Sequence, residues 1–230
     1  MLRDFVNLFF PKVCAACDCV LQTHEDTICT DCRIDLPLTN DHEREENEVF
    51  RTFRGRLDVQ LTSALFYFEK GGPIQEIIHD LKYRGNQDVA SSLGNWHARL
   101  LIDVGWHDQI EVIIPVPIHA QRLRQRGFNQ VTNYAKAFAT SFKKPMDEKL
   151  ILRKSATKTQ VFKNRLARTE VTEKNYFLSL PTNLLRSYEG KHFLLVDDIL
   201  TTGVTLETCA KQLLQIPGAK VSIACMAVTR

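Results

Sequence analysis

What this sequence has little of narrows the field first. Its net charge is only +3 over 230 residues, too small to argue by itself for a nucleic-acid partner. The apolar stretch at residues 1–10 is too short for a membrane span, and no small-residue cleavage site follows it before Cys14. A cytoplasmic protein with no transmembrane segment is therefore expected. Arg3 is the sole basic residue before Lys12, so residues 1–10 are expected to pack as a short amphipathic helix rather than lie on a membrane surface. Seven cysteines are an odd number, and four of them form two close pairs, which does not suit a secreted disulfide framework. Aromatic residues near the basic stretches are few (Phe128, Phe162 and Tyr176), which gives thin support for base stacking. No residue stands out as a nucleophile. Cys14 is preceded by thirteen residues and accompanied by no glutaminase domain, which disfavours an amidotransferase.

What is present suits one full α/β domain plus a small module, with 44% hydrophobic and 25% charged residues. Cys14-Ala15-Ala16-Cys17 and Cys29-Thr30-Asp31-Cys32 are two Cys-x-x-Cys knuckles separated by eleven residues. Each can place two thiolates on one tetrahedral ion, and four soft sulfur ligands select Zn²⁺. Cys14, Cys17, Cys29 and Cys32 are thus expected to hold a structural zinc that stabilises a segment poor in apolar residues. Cys19 is a substitute ligand with a poorer Cys-x-Cys spacing from Cys17, and free thiols or a redox pair are the alternatives. The run 41–48 is highly charged and reads as a solvated linker. The expected division is 1–48 for N-terminal helix, module and linker, and 49–230 for the α/β domain.

The stretch around which the domain is organised is 193–207. Residues 193–196 are apolar and read as a strand buried on both faces. Asp197 and Asp198 follow at once, then Ile199, Leu200, Thr201, Thr202, Gly203, Val204 and Thr205. From Val204 the spacing of Leu206, Cys209, Ala210, Leu213 and Leu214 predicts a helix. Backbone N–H groups of the turn and of the helix start form a concavity for a phosphate, with the threonine hydroxyls as extra donors. Carboxylates repel phosphate, so the partners of Asp197 and Asp198 are sugar hydroxyls or a divalent cation. Phosphate, diol and Mg²⁺ together describe a ribose 5-phosphate. The segment looks like the phosphoribosyl pyrophosphate (PRPP) signature of type I phosphoribosyltransferases.

Elsewhere, 63–68 reads as a strand, and Gly71-Gly72-Pro73 opens a helix with Ile74, Ile77, Ile78 and Leu81 on one face. That helix ends in Lys82-Tyr83-Arg84-Gly85; a second helix covers 88–102, in which Trp96 is expected to pack. Residues 111–116 are the next buried strand, stopped by Pro115-Val116-Pro117. The following loop, 119–130, carries Arg122, Arg124 and Arg126, a set suited to a polyanion such as pyrophosphate. Lys82, Arg122 and Arg126 are the candidates for that contact, and His119 reads as a surface side chain. Short strands are expected at 150–152 and 175–178, and the last strand at 221–228. The polar, basic run 153–174 between them is expected to be a lid or a disordered loop. This order gives an α/β domain with a largely parallel sheet, in which ligands bind beyond the carboxyl ends of the strands.

Taken together, the two cysteine knuckles, 81–85, Pro115-Val116-Pro117, Arg126-Gly127-Phe128-Asn129-Gln130, then Gln160, Arg168, Asn175 and the 197–205 loop resemble the ComF family. That family comprises phosphoribosyltransferase-like proteins linked to DNA uptake in naturally competent bacteria. The resemblance implies a type I phosphoribosyltransferase core and a cytoplasmic role in handling incoming single-stranded DNA, alongside other DNA-uptake proteins. It implies a 5-phosphate on Thr201 to Thr205, a ribose diol on Asp197 and Asp198, Mg²⁺ bridging diol and pyrophosphate, and Arg126 on the leaving group. Two classes of function follow. One is a phosphoribosyltransferase whose acceptor is open, nucleotide metabolism included; the other is a non-catalytic protein that senses PRPP or a nucleotide and binds DNA.

Overall fold

The computed structural model describes residues 11–84, 86–154, 175–181 and 185–230. The expected helix at 1–10 and the lid expected within 153–174, apart from Arg153 and Lys154, lie outside the described residues. In chain order the elements are α1 (Thr30–Asp35), a 3-10 turn (Asp41–Glu43), α2 (Glu48–Phe53) and β1 (Thr62–Phe68). Next come α3 (Pro73–His79), which runs into a π-helical turn (Asp80–Arg84), then α4 (Gln87–Asp103) and α5 (Trp106–Gln109). β2 (Val112–Pro115), α6 (Ala120–Arg126) and α7 (Thr132–Phe142) follow. The chain then forms β3 (Ile151–Arg153), β4 (Tyr176–Leu178), β5 (His192–Leu200), α8 (Val204–Leu213) and β6 (Lys220–Thr229).

The main sheet has the order β1-β6-β5-β2, and every pairing in it is parallel. The expected parallel α/β architecture is the one observed. β3 and β4 form a separate antiparallel ribbon. Because side chains alternate across a strand, β5 serves two cores. Leu194 and Val196 face a cluster with Ile77, Leu93, Tyr134 and Phe138 from α3, α4 and α7. Phe193 and Leu195 face the other side, with Phe53 of α2 and Leu206, Cys209 and Leu213 of α8. Helices therefore cover both faces of the sheet, the arrangement that an apolar parallel strand requires. α4 and α7 approach closely at Gly94, where a Cβ would stand 2.6 Å from Ala137 Cβ and 2.7 Å from the Tyr134 carbonyl oxygen.

Three local readings change. The basic loop 119–130 contains a helix, α6, because Gln121, Arg122, Leu123, Arg124, Gln125 and Arg126 are all good helix formers. His119 caps it, its Nδ1 accepting from the Gln121 N–H at 3.1 Å. The 193–196 strand extends to Leu200, so Asp197 and Asp198 belong to β5, with Asp197 opposite Cys225 and Ile199 opposite Ala227 of β6. The linker 41–48 is solvated at residues 43–46, yet Asp41 and Asn47 are buried. Asp41 Oδ2 accepts from Ala64 N–H at 3.2 Å, and Asn47 Nδ2 donates to the Asp41 and Thr62 carbonyls at 3.2 and 2.5 Å. These bonds, with Thr39 N–H to Leu65 O and Tyr67 N–H to Pro37 O, tie the segment after the cysteine module to the edge of β1.

Candidate functional site

At the carboxyl ends of β2 and β5, which are sheet neighbours, one cleft collects most of the expected residues. Its lining includes Lys82, Arg122, Asp197, Asp198 and the whole of 199–205. Arg126 stands one step behind: its Nη1 donates to Gln130 Oε1 at 2.9 Å, and Gln130 Nε2 donates to Asp198 Oδ2 at 3.1 Å. Asn129 Nδ2 holds the Val116 carbonyl at 3.0 Å. The Arg-Gly-Phe-Asn-Gln stretch is therefore a brace. Its Asn positions the Pro-Val-Pro loop and its Gln orients a carboxylate, with the Arg holding the Gln.

Lys82 reaches the same carboxylate from the π-helical turn, Nζ to Asp198 Oδ2 at 2.6 Å. Asp198 Oδ1 accepts from its neighbour Ile199 N–H at 2.7 Å, and Asp197 Oδ1 accepts from Asp198 N–H at 2.8 Å. The two acids are not equivalent. Burial would raise the Asp198 pKa, but the Lys82 ammonium, with Gln130 and the Ile199 N–H, outweighs it and holds the carboxyl below its ordinary value. Burial, reinforced by the Asp198 charge, pushes Asp197 well above its ordinary value. A pair split in this way keeps one charge fixed and leaves the other free to ionise when a cation or a hydroxyl donor arrives.

Beside them, Gly203 caps α8 with φ +77° in the left-handed region. Thr201 and Thr202 are exposed and Thr205 half-buried, so their hydroxyls are open to a ligand at the N-terminus of α8. The loop is supported from behind by α2 and the turn after it. A Cβ on Gly203 would meet the Phe53 ring at 2.9 Å. Arg56 Nη1 donates to the Thr202 carbonyl at 3.2 Å and Arg56 pairs with Glu207. Arg56 and Phe53 are supports that no motif announced, since they act across about 150 residues of sequence. Arg153 and Tyr176, on the β3–β4 ribbon, also line the cleft. Burial pushes the Tyr176 hydroxyl up to about 12, so it stays protonated and able to donate.

At the opposite end of the chain, Cys14, Cys17, Cys19 and Cys29 bring their sulfur atoms within 4.8 Å of one another, a group that could hold a metal ion. This group has Cys19 where the knuckle spacing predicted Cys32. A tight turn causes it: Cys14 N–H bonds to Cys19 O at 2.8 Å, and Val13 pairs with Val20. Cys32 is adjacent, its sulfur interacting with those of Cys17 and Cys29. Backbone N–H groups of Ala16 and Cys29 point at Cys14 Sγ, at 3.4 and 3.3 Å, and that of Cys32 at Cys29 Sγ, at 3.4 Å. Donors aimed at sulfur stabilise thiolates, so the residues present fit a thiolate-bound metal. Trp96 packs as expected, edge-on to Phe66 at 5.5 Å with the Arg33 guanidinium 4.6 Å from its ring centroid. Among the described residues no helix is long and apolar enough to cross a membrane.

A parallel sheet with helices on both faces and an acid pair followed by a hydroxyl-rich loop is the layout of the phosphoribosyltransferase class. The model of the phosphoribosyl transferase domain matches residues 133–230. DNA utilization protein YhgH of Escherichia coli O157:H7 is 31% identical over 163 residues, 68% of this chain and 68% of that protein. The Shigella flexneri protein of the same name is 30% identical over the same share of each chain. Competence protein ComFC of Bacillus subtilis (strain 168) is 26% identical over 204 residues, 89% of this chain and 78% of that one. The chain belongs to the ComF family of phosphoribosyltransferase-like proteins.

Proposed function

We propose that the cleft binds PRPP or a ribose 5-phosphate nucleotide with Mg²⁺, and that the protein serves DNA uptake in the cytoplasm by handling incoming single-stranded DNA. The observation that carries this reading is the Asp197–Asp198 pair at the end of β5, set directly against the 201–205 loop at the α8 N-terminus within one cleft. The cradle takes the 5-phosphate, and Asp197 and Asp198 take the ribose diol. Mg²⁺ would be held by these carboxylates and would neutralise charge on the pyrophosphate. Lys82 and Arg122, which line the cleft, would hold the pyrophosphate, while Arg126 acts through Gln130. If transfer occurs, an acid beside the ring stabilises the positive charge that develops on the sugar. The names of the relatives, DNA utilization and competence proteins, support the biological role.

Single-stranded DNA contact has a specific support that sequence alone hid. Tyr83 is 68% exposed, its ring tilted against that of His79 at 4.7 Å and 5.3 Å from the Arg126 guanidinium, next to the arginine-rich α6. An exposed ring among cations is what strand binding uses. The deciding measurement is calorimetric titration with PRPP and Mg²⁺, with pyrophosphate release followed across bases, amines and single-stranded DNA. Asp197→Asn with Asp198→Asn should weaken PRPP at least tenfold, as loss of charge-assisted hydrogen bonds worth about 1.5–3 kcal/mol requires. Unchanged affinity in that variant, or no PRPP binding by the native chain, would refute the ribose-phosphate reading.

A further inference from the structure

Two polar atoms beside the cleft are buried without a hydrogen-bond partner among the described residues: Arg153 Nε and Tyr176 Oη. Their residues are register partners on the β3–β4 ribbon, with the guanidinium 5.1 Å from the ring centroid. Tyr176 is only 2% exposed, yet it lines the cleft, as Arg153 does. Buried polar groups are nearly always paired, because an unpaired one forfeits its water without compensation. Two unpaired donors on one wall of one cleft point to a ligand that accepts hydrogen bonds.

The ligand's chemistry follows from what stands opposite. The ribbon packs on the first turns of α8: Ile151 and Tyr176 share an apolar cluster with Leu206 and Cys209. Tyr176 also lies within reach of the Thr205 side chain, although no good hydrogen bond joins them. The ribbon therefore faces the phosphate cradle. That cradle offers backbone N–H groups and threonine hydroxyls, none of them charged, whereas a phosphate monoester carries close to two negative charges at neutral pH. Of the other cations, Arg122 also lines the cleft and is given to pyrophosphate by the ribose-phosphate reading, and two more are engaged. Lys82 holds Asp198, and Arg56 is tied to Glu207 and the Thr202 carbonyl.

We propose that Arg153 and Tyr176 complete the 5-phosphate site, the guanidinium and the phenol O–H donating to phosphate oxygens that the 201–205 loop leaves uncovered. This rests on the ribose-phosphate reading of the cleft and names two binding residues beyond it. It also explains why the ribbon keeps an unpaired tyrosine hydroxyl in an apolar cluster, where phenylalanine would pack equally well.

Titration of the full chain with ribose 5-phosphate and, separately, with pyrophosphate tests it, each with Mg²⁺. Tyr176→Phe should weaken ribose 5-phosphate severalfold and Arg153→Gln about tenfold or more, with Arg153→Lys recovering part of the loss. Pyrophosphate affinity should stay within about twofold in all three, because the ribose-phosphate reading gives pyrophosphate to Lys82 and Arg122 rather than to the ribbon. Tyr176→Phe should also melt no lower than the native chain, since it removes an unsatisfied buried hydroxyl. Native affinity for ribose 5-phosphate in both Tyr176→Phe and Arg153→Gln overturns the proposal. So does an equal loss for both ligands, or a clearly lower melting temperature for Tyr176→Phe. A native chain that binds pyrophosphate but no ribose 5-phosphate overturns the ribose-phosphate reading and this proposal with it, and the variants are not needed to see it.

Discussion

Single residues decide the electrostatics of this molecule. Asp198 is 8% exposed and depends on Lys82 for its charge. Removing the ammonium leaves a buried carboxylate held by Gln130 and a backbone N–H alone. Lys82→Met should therefore destabilise the fold by about 3 kcal/mol, and adding Asp198→Asn should recover most of that loss, because the stranded charge goes with it. Denaturant melts of the two variants check this; equal stability of single and double variants would mean that the pair is not coupled. A second residue sets acid sensitivity. His97 is buried, bonded to Ser63 and Tyr134 at 2.8 and 2.6 Å, and burial, helped by nearby His42, lowers its pKa to about 3. It is neutral in the fold, so its contribution is complete above its ordinary value of about 6.5 and is lost as pH falls toward 3. The slope is about 1.4 kcal/mol per pH unit. Asp41 acts in the opposite sense, since burial raises its pKa to about 6 and its stabilisation is lost as pH rises through that value. The readout is thus the difference between the native chain and His97→Gln, which should grow in the variant's favour between pH 6.5 and 4. Parallel stability curves would remove His97 as the sensor.

At the scale of elements, contact between α4 and α7 turns on one missing side chain. Gly94 sits in the interior of α4, where glycine costs helix stability. It is retained at the point where the Tyr134 backbone and the Ala137 side chain of α7 come closest. Gly94→Ala gains helix propensity yet forces the helices apart, and overpacking of this kind costs about 1–3 kcal/mol. A net fall in thermal stability is expected; a rise would show that the helices separate without strain. The same closeness matters for the site, because α7 begins just after Gln130, the residue that orients Asp198. The π-helical turn after α3 has a comparable role, presenting Lys82 to the cleft from a helix end that runs on past Asp80.

At the scale of the whole molecule, the cysteine module gives the core only a few apolar residues, such as Ala15 and Leu36, and a metal is expected to hold it together. About one Zn²⁺ per chain should survive purification without added zinc, and chelation should unfold the module. Five sulfur atoms compete for four positions. The knuckle spacing favours Cys32, so Cys19→Ser should keep the metal and Cys32→Ser should lose it; the reverse would give the fourth place to Cys19, whose sulfur lies within 4.8 Å of those of Cys14, Cys17 and Cys29. Periodicity and motif spacing alone made legible the parallel α/β class, the buried strand leading to the acid pair, the hydroxyl-rich loop after it and the cysteine knuckles. All of these are encoded over a few neighbouring residues, within reach of one turn or one strand. The supports were not legible. Phe53 and Arg56 behind the 201–205 loop, Gln130 on Asp198, Tyr83 beside Arg126, and the facing Arg153 and Tyr176 all depend on contacts between segments far apart in the chain. No local pattern marks such pairs. Their geometry is set by how the helices pack on the two faces of the sheet, and the same packing decided which carboxylate of Asp197 and Asp198 carries the fixed charge.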